Sequence, residues 1–210
     1  MKKIIILFIL IVCIMSLNAR SLEPIKLPKP TIKGGSSIME SFQNRRSGRE
    51  YSSKDLSIED ISNLLWAACG INSNDGRRTS PTARNCQEID VYLIKKDGAY
   101  LYVPADDLLE PVYSGDLRSS VAAGQDFVNS SPISLVIVGN ITKLGGDNDR
   151  NIKLMWCDGG IVSQNINMFC AGHNFSTVTR ATMDDKVLRE ALKLKDSQHL
   201  LLNNPIGYKK

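Results

Sequence analysis

Helical spacing of apolar residues recurs along the chain. Between Ile58 and Ala68 the apolar positions fall every three or four residues, which predicts an amphipathic helix. Ser57 precedes this stretch as a helix N-cap and Gly70 follows it as a stop, so both ends of the helix are marked. The same criteria predict further helices over residues 38–43, 117–127, 151–171 and 184–194.

Other stretches show the two-residue alternation of β-strands. Residues 89–93 and 99–103 lie on either side of an Asp97-Gly98 turn, which predicts a β-hairpin. Residues 133–138 are apolar throughout, as in a central strand buried on both faces. Shorter strands are predicted at residues 175–179 and 199–202. Hairpins and helical crossovers in one chain predict an α+β fold in which helices flank a sheet.

The first 19 residues have the pattern of a targeting segment. Two lysines precede an apolar run from Ile4 to Met15, and the small Ala19 follows at a cleavage point. This pattern predicts a cleaved signal peptide and an exported, periplasmic protein, and an uncleaved N-terminal membrane anchor stays open as the alternative. Residues 20–36 contain three prolines and two glycines, which predicts an extended arm lying across the surface. Residues 37–210 then form one domain.

The charge and the cysteines exclude several classes of protein. The 26 basic and 22 acidic side chains give a net charge of +4, which falls to +2 without the two lysines of the signal segment. That charge is too small to indicate a nucleic-acid partner. The cysteine spacing predicts neither a metal site nor an obligatory disulfide, and Cys157 and Cys170 are predicted to be buried in the apolar helical pattern. Nucleotide-binding glycine loops and hydrolase motifs are absent from the sequence.

The densest cluster of chemically informative residues is Arg45-Arg46-Ser47-Gly48-Arg49. Guanidinium groups bind oxyanions through two parallel hydrogen bonds and stay charged at any biological pH. The cluster therefore suits a phosphate-bearing ligand. A solvated basic surface is the alternative that the cluster alone leaves open.

A set of short motifs in a fixed order resembles the nitroreductase family of flavoproteins, most closely its thiazole- and oxazole-forming dehydrogenase-like branch. The resemblance extends from Ile38 to the C-terminus. The motifs that carry it are Arg45–Arg49 with Tyr51, Leu64–Gly70, Arg77–Asn85, Gly115–Arg118, Gly124–Val128, Asp158–Gly160 with Ser163–Asn165, and Ile206–Lys209. The resemblance implies the α+β fold of FMN-dependent nitroreductases, with a mostly antiparallel central sheet flanked by helices, in a domain-exchanged homodimer.

The resemblance also implies which residues bind FMN. Arg45, Arg46 and Ser47 would hold the phosphate and ribityl chain, and Arg49 would lie near the pyrimidine end of the ring. The other implied contacts are Pro81, Thr82, Ala83, Arg84 and Asn85 from the partner chain, Gln125 at the ring, the backbone of Arg180, Ala181 and Thr182 at the N5 and O4 edge, and Lys209 at the phosphate. Ala181 stands where the branch usually has glycine, so the backbone there must keep a negative φ.

The implied activity is the transfer of two electrons through flavin N5, by a ping-pong scheme, from a small donor to a nitroaromatic, quinone or similar small acceptor. The flavin does the chemistry, so no catalytic side chain and no metal are expected. Two alternatives stay open: an exported flavin-binding relative without turnover, and an oxygen-dependent dehydrogenase of a peptide or heterocycle. NAD(P)H is not expected outside the cytoplasm, so the donor is also open.

Overall fold

A computed structural model describes residues 22–210, and the predicted signal peptide lies outside the described residues. Within residues 22–210, no helix is both long enough and apolar enough to cross a membrane. The strands are β1 (Ile25–Lys26), β2 (Ile89–Lys95), β3 (Gly98–Val103), β4 (Leu108–Ser114), β5 (Ile133–Asn140), β6 (Phe175–Thr177) and β7 (Gln198–Tyr208). The helices are α1 (Ile38–Asn44), α2 (Ile58–Cys69), α3 (Arg118–Ala122), α4 (Asp149–Gly172) and α5 (Asp185–Ala191).

All seven strands form one sheet in the order β1-β4-β3-β2-β5-β7-β6, and every neighbouring pair is antiparallel. Helices cover both faces, which gives two separate apolar cores. On the central strand β5, Leu135 and Ile137 point into the core beneath α2 and α4, whereas Val136 and Val138 point into the core beneath α3 and α5. This alternation confirms the predicted central strand and explains why it is apolar throughout.

The predicted ends of α2 are confirmed, and the helix is fixed by local hydrogen bonds. The Ser57 hydroxyl accepts a hydrogen bond from the backbone N–H of Asp60, and the chain leaves the helix at Gly70 in an extended conformation. The helix α4 packs closely on the sheet because Gly159 lies against Leu201 of β7. A Cβ atom at Gly159 would come within 2.8 Å of the Leu201 Cδ1 atom.

Several details of the sequence-based prediction are wrong or incomplete. The helix predicted over 117–127 ends after Ala122, because Ala123 and Gly124 adopt left-handed backbone angles with φ of 45° and 82°. The last strand runs over 198–208 rather than 199–202. The strand β4, which lies next to the edge strand β1 and contains Pro111, was not predicted at all. Cys157 is exposed instead of buried, since it lies on the outer face of α4.

The arm over residues 22–36 lies against the domain. Ile25 pairs with Leu109 of β4, and the next residue but one, Leu27, is buried. Farther along, the Thr31 backbone N–H donates to the Asn63 side chain of α2. The arm thereby passes from the sheet edge towards the helical face and leads into α1.

Candidate functional site

The basic motif begins where α1 ends. A capping box between Ser37 and Glu40 starts this short helix, and Arg45 follows it with an extended backbone. The chain then runs beside β6, where the Gly48 N–H donates to the Thr177 carbonyl over 2.9 Å. Glycine is required at this approach, since a Cβ atom on Gly48 would come within 2.2 Å of the Ser176 hydroxyl oxygen.

The motif borders two adjoining cavities with a basic lining. The smaller, of about 130 Å³, is lined by Arg46, Gly48, Ser176 and Lys209 among others, and no acidic side chain is among its lining residues. The larger, of about 370 Å³, is lined by Arg49, Lys209 and Lys210, with Glu50 at its side. Three residues that were predicted to bind FMN meet at these cavities: Arg46, Arg49 and Lys209. Cationic groups and a hydroxyl that line one cavity are the chemistry that suits an oxyanion.

The remaining members of the motif have different surroundings. Arg45 is half-buried at the end of α1, and its carbonyl accepts a hydrogen bond from the Arg46 guanidinium at 2.8 Å. A second bond, to the Gln43 carbonyl, fixes the same Arg46 nitrogen. Ser47 is exposed. Arg46, which lines the smaller cavity, is therefore held in place by the backbone of the turn on which it lies.

A second cluster lies around the ring of Phe127. The guanidinium carbons of Arg49 and Arg180 lie 5.6 Å and 5.7 Å from the ring centroid, within cation–π range. The Gln125 side-chain oxygen accepts a hydrogen bond from Arg180 Nε at 3.0 Å. The structure thus brings three residues predicted from the sequence, Arg49, Gln125 and Arg180, to one place.

The segment 179–182 has both paired and unpaired backbone groups. Arg180 forms an isolated antiparallel bridge with Asn203, in which its N–H donates to the Asn203 carbonyl over 2.8 Å. Ala181 and Thr182 are exposed, and no residue of the described chain accepts a hydrogen bond from their N–H groups. The φ of Ala181 is not positive, so alanine is accommodated at this position without backbone strain.

The loop 81–85 lies at the other end of the helical face. Its Ala83 N–H donates to the Asp158 carboxylate over 2.8 Å, and its Arg84 guanidinium donates to the Leu144 carbonyl. The basic cavities instead adjoin Cys170, twelve residues farther along α4. At 1.5 Å per residue this separation is about 18 Å. Pro81, Thr82, Ala83, Arg84 and Asn85 are therefore not near Arg46 within one chain.

Sequence reasoning missed a buried carboxyl group at the base of this loop. Glu88 is fully buried, and neither of its carboxyl oxygens has a hydrogen-bond partner of regular geometry among the described residues. Burial, followed by hydrogen bonding and repulsion from Asp158, raises the pKa of Glu88 to about 7. A polar residue directly before a strand gives no sequence signal that distinguishes it from an exposed one.

Comparison with known proteins identifies the family. The model of the nitroreductase family matches residues 42–208. The chain belongs to the nitroreductase family. A protein provisionally named a nitroreductase in Methanocaldococcus jannaschii is 28% identical over 207 residues, which cover 93% of this chain and 97% of that protein.

Solved structures of nitroreductases share the fold. The crystal structure of a protein provisionally named a nitroreductase from Ralstonia eutropha has a TM-score of 0.84 and 31% identity, and the match covers 91% of this chain and 92% of that one. A chain of the E. coli microcin synthetase McbBCD complex has a TM-score of 0.69 and 19% identity, over 94% of this chain and 81% of that one. The predicted nitroreductase fold, an antiparallel sheet flanked by helices, is confirmed.

Proposed function

We propose that this nitroreductase-family protein is an FMN-dependent oxidoreductase that transfers two electrons, by a ping-pong scheme, to a nitroaromatic, a quinone or a similar small acceptor. The observation that carries the proposal is the meeting of Arg46, Arg49 and Lys209 at the cavities beside β6. When bound, FMN supplies two-electron redox chemistry at its N5 atom. The protein residues bind and orient the cofactor, and none has to act as a nucleophile.

The chemistry of the donor set fits FMN. Arg46, Lys209 and the Ser176 hydroxyl would hold the phosphate, because the smaller cavity combines positive charge with hydrogen-bond donors. Arg49 would place a permanent charge at the ring, and the free N–H groups of Ala181 and Thr182 suit the acceptor atoms of the flavin edge. The remaining implied contacts, Arg45, Ser47 and the ring-proximal Gln125, belong to the same proposal.

A homodimer is part of the proposal. The apolar side chains of Ile38, Met39 and Phe42 on α1 are 61%, 72% and 56% exposed, and Trp156 on α4 is 43% exposed. An adjoining cavity of about 390 Å³ is lined by Trp66, Met168 and Phe169. A second copy of the chain would cover this apolar surface. It would also bring its own loop 81–85 to the cofactor of the first copy.

The proposal extends to the branch of the family, the location of the protein and the limits of its domains. The relation to the thiazole- and oxazole-forming dehydrogenase-like branch is supported by the sequence motifs. Export to the periplasm is supported by the pattern of residues 1–19 alone. Domain limits of 20–36 for the arm and 37–210 for the catalytic domain complete the proposal.

Absorbance spectroscopy on the purified protein tests the function. We expect FMN to bind, its absorbance near 450 nm to bleach with NADH, NADPH or dithionite, and the colour to return when a nitroaromatic or quinone is added under nitrogen. Recovery with oxygen alone would favour the oxygen-dependent dehydrogenase. Bound FMN that is never reoxidised would favour a flavin-binding relative without turnover. Failure to bind FMN would contradict the whole proposal.

A further inference from the structure

The Arg180 guanidinium is buried without a carboxylate to neutralise it. The residue is 7% exposed, and within residues 22–210 no Asp or Glu forms an ion pair with it. Burial lowers the pKa of Arg180. A buried cation that meets only neutral acceptors costs free energy on folding, and a use of the positive charge at this place would offset that cost.

Neutral acceptors hold the guanidinium rigidly. Its Nη1 donates to the Val121 carbonyl over 3.0 Å and to the Asn203 side-chain oxygen over 2.7 Å, and its Nη2 donates to the Ala122 carbonyl over 2.9 Å. With the Nε bond to Gln125, four of the five N–H donors of the group are engaged. The side chain therefore ties the end of α3 to β7 and cannot swing towards solvent.

The same contact orients Gln125. Only the carboxamide oxygen can accept from Arg180 Nε, so the amide nitrogen of Gln125 must be the group that faces away. Gln125 is exposed, and its amide nitrogen has no partner in the described part of the chain. The result is a fixed N–H donor with a buried positive charge directly behind it, next to the Phe127 ring and Arg49.

We infer that Arg180 is a positioning residue: it orients the Gln125 amide, and its own unneutralised charge acts on the ligand bound beside Gln125, favouring an electron-rich, anionic ring over a neutral one. The inference rests on the proposed function, in which that ring is FMN. A fixed charge near a ring that gains electrons strengthens binding of the reduced form more than that of the oxidised form. Arg180 would therefore tune the reduction potential without touching the reacting atoms.

Two variants of the exposed Gln125 separate the charge from the hydrogen bond while leaving Arg180 and the fold in place. Gln125→Glu keeps the acceptor for Arg180 Nε but neutralises its charge, and Gln125→Met removes the amide while the charge stays. We expect Gln125→Glu to reduce the ratio of the affinity for reduced FMN to that for oxidised FMN about tenfold. This is the size of effect expected when one charge is neutralised in partly buried surroundings. For a two-electron couple this is a fall of about 30 mV in the midpoint potential.

The comparison is made by redox titration of the bound flavin, with Asn129→Glu as the matched control. Asn129 is exposed in the same turn, so this variant adds one negative charge away from Arg180. A ratio that falls in Gln125→Glu clearly more than in Gln125→Met or Asn129→Glu supports the inference. Equal ratios in Gln125→Glu and Gln125→Met, with normal FMN binding, overturn the inference and leave the proposed function intact. A wild-type protein that binds no FMN overturns both.

Discussion

Asp158 of α4 accepts a hydrogen bond from the backbone N–H of Ala83 at 2.8 Å, across 75 positions of sequence. The acceptor is almost fully buried, and the loop that it holds contains the left-handed residues Arg84 and Asn85. The loop conformation is therefore stabilised by a side chain from the long helix rather than by local turn chemistry alone. Several expected properties of the protein follow from this contact and from its neighbour Glu88.

Asp158→Ala should destabilise the protein and loosen the loop. The Ala83 N–H would lose its acceptor, which costs about 1 to 3 kcal/mol when the group stays buried. Thermal unfolding at pH 5, where Glu88 holds its proton, measures the loss. Asp158→Asn keeps an acceptor oxygen and is the matched control, expected to lose less. Equal melting temperatures for wild type and Asp158→Ala would show that the hydrogen bond does not stabilise the loop.

Glu88 should make stability depend on pH between about 4.5 and 7. Its folded-state pKa of about 7 exceeds the ordinary value of 4.5, chiefly because the group is buried beside Asp158, with Lys143 acting in the opposite direction. Since the folded state keeps a proton that the unfolded state releases, stability falls as the pH rises through this range. Above pH 7 the loss is complete.

Glu88→Gln should remove this loss, because the amide is neutral at every pH and, like the protonated acid, offers a donor to Asp158. We expect the variant to be more stable than wild type at pH 8, on the order of 2 kcal/mol, and similar to wild type at pH 4.5. Denaturant unfolding across pH 4.5 to 8 measures the difference, with the exposed Glu110→Gln as control. A stability difference that does not change with pH would contradict the assignment.

Neighbouring glycines on α4 provide a matched pair of substitutions. Gly159→Ala places a Cβ atom 2.8 Å from Leu201 Cδ1 in the closed core, and we expect it to destabilise the protein by about 1 to 3 kcal/mol. Gly160 faces open space, so Gly160→Ala should be neutral or stabilise by up to about 1 kcal/mol through helix propensity. Chemical denaturation compares the two. Equal effects would mean that α4 does not pack on β7 at Gly159.

The parts of the fold that were predictable depend on local signals. Ser57 and Gly70 mark the ends of α2 in the sequence itself, and the helix ends there. The end of α3 was not predicted, because Ala123 adopts a left-handed φ and alanine gives no sequence signal for that conformation. The carbonyl of Ala122 beside it accepts from Arg180, 58 positions away. A contact between residues so far apart in the chain produces no local sequence pattern from which the end of the helix could be predicted.

In the candidate site, too, the residues that are close in sequence were predictable and the long-range contacts were not. Arg45 to Arg49 was visible because its charges are adjacent in sequence, and three of the predicted residues do meet at the cavities beside β6. The family resemblance implied only a backbone role for Arg180, whereas its buried side chain also forms hydrogen bonds with Gln125 and Asn203. The link between Glu88 and Asp158 was equally hidden, since it joins the residue before β2 to a helix 70 residues later.

The lining of the smaller basic cavity leads to a prediction about FMN affinity. Arg46→Ala and Lys209→Ala each remove one cation from its lining, and we expect each to weaken FMN binding about tenfold, which corresponds to about 1.4 kcal/mol. Fluorescence titration with FMN measures the dissociation constants. Arg150→Ala, which removes an exposed charge at the start of α4, is the control and should bind as wild type does. Unchanged affinity in both cavity variants would remove the phosphate assignment.

The exposed apolar face of α1 leads to a prediction about the oligomeric state. Phe42 is 56% exposed, and if a second copy covers it, Phe42→Glu would bury an unpaired carboxylate at a cost of at least about 2 kcal/mol per copy. Light scattering should then show a wild-type mass of twice that of the purified chain and a variant shifted towards the mass of the single chain. Val187→Glu changes an apolar side chain that is 40% exposed on α5, beside the other core, and should leave the mass unchanged. A wild-type protein with the mass of one chain would mean that this face does not bind a second copy, and that loop 81–85 cannot reach a neighbouring cofactor site.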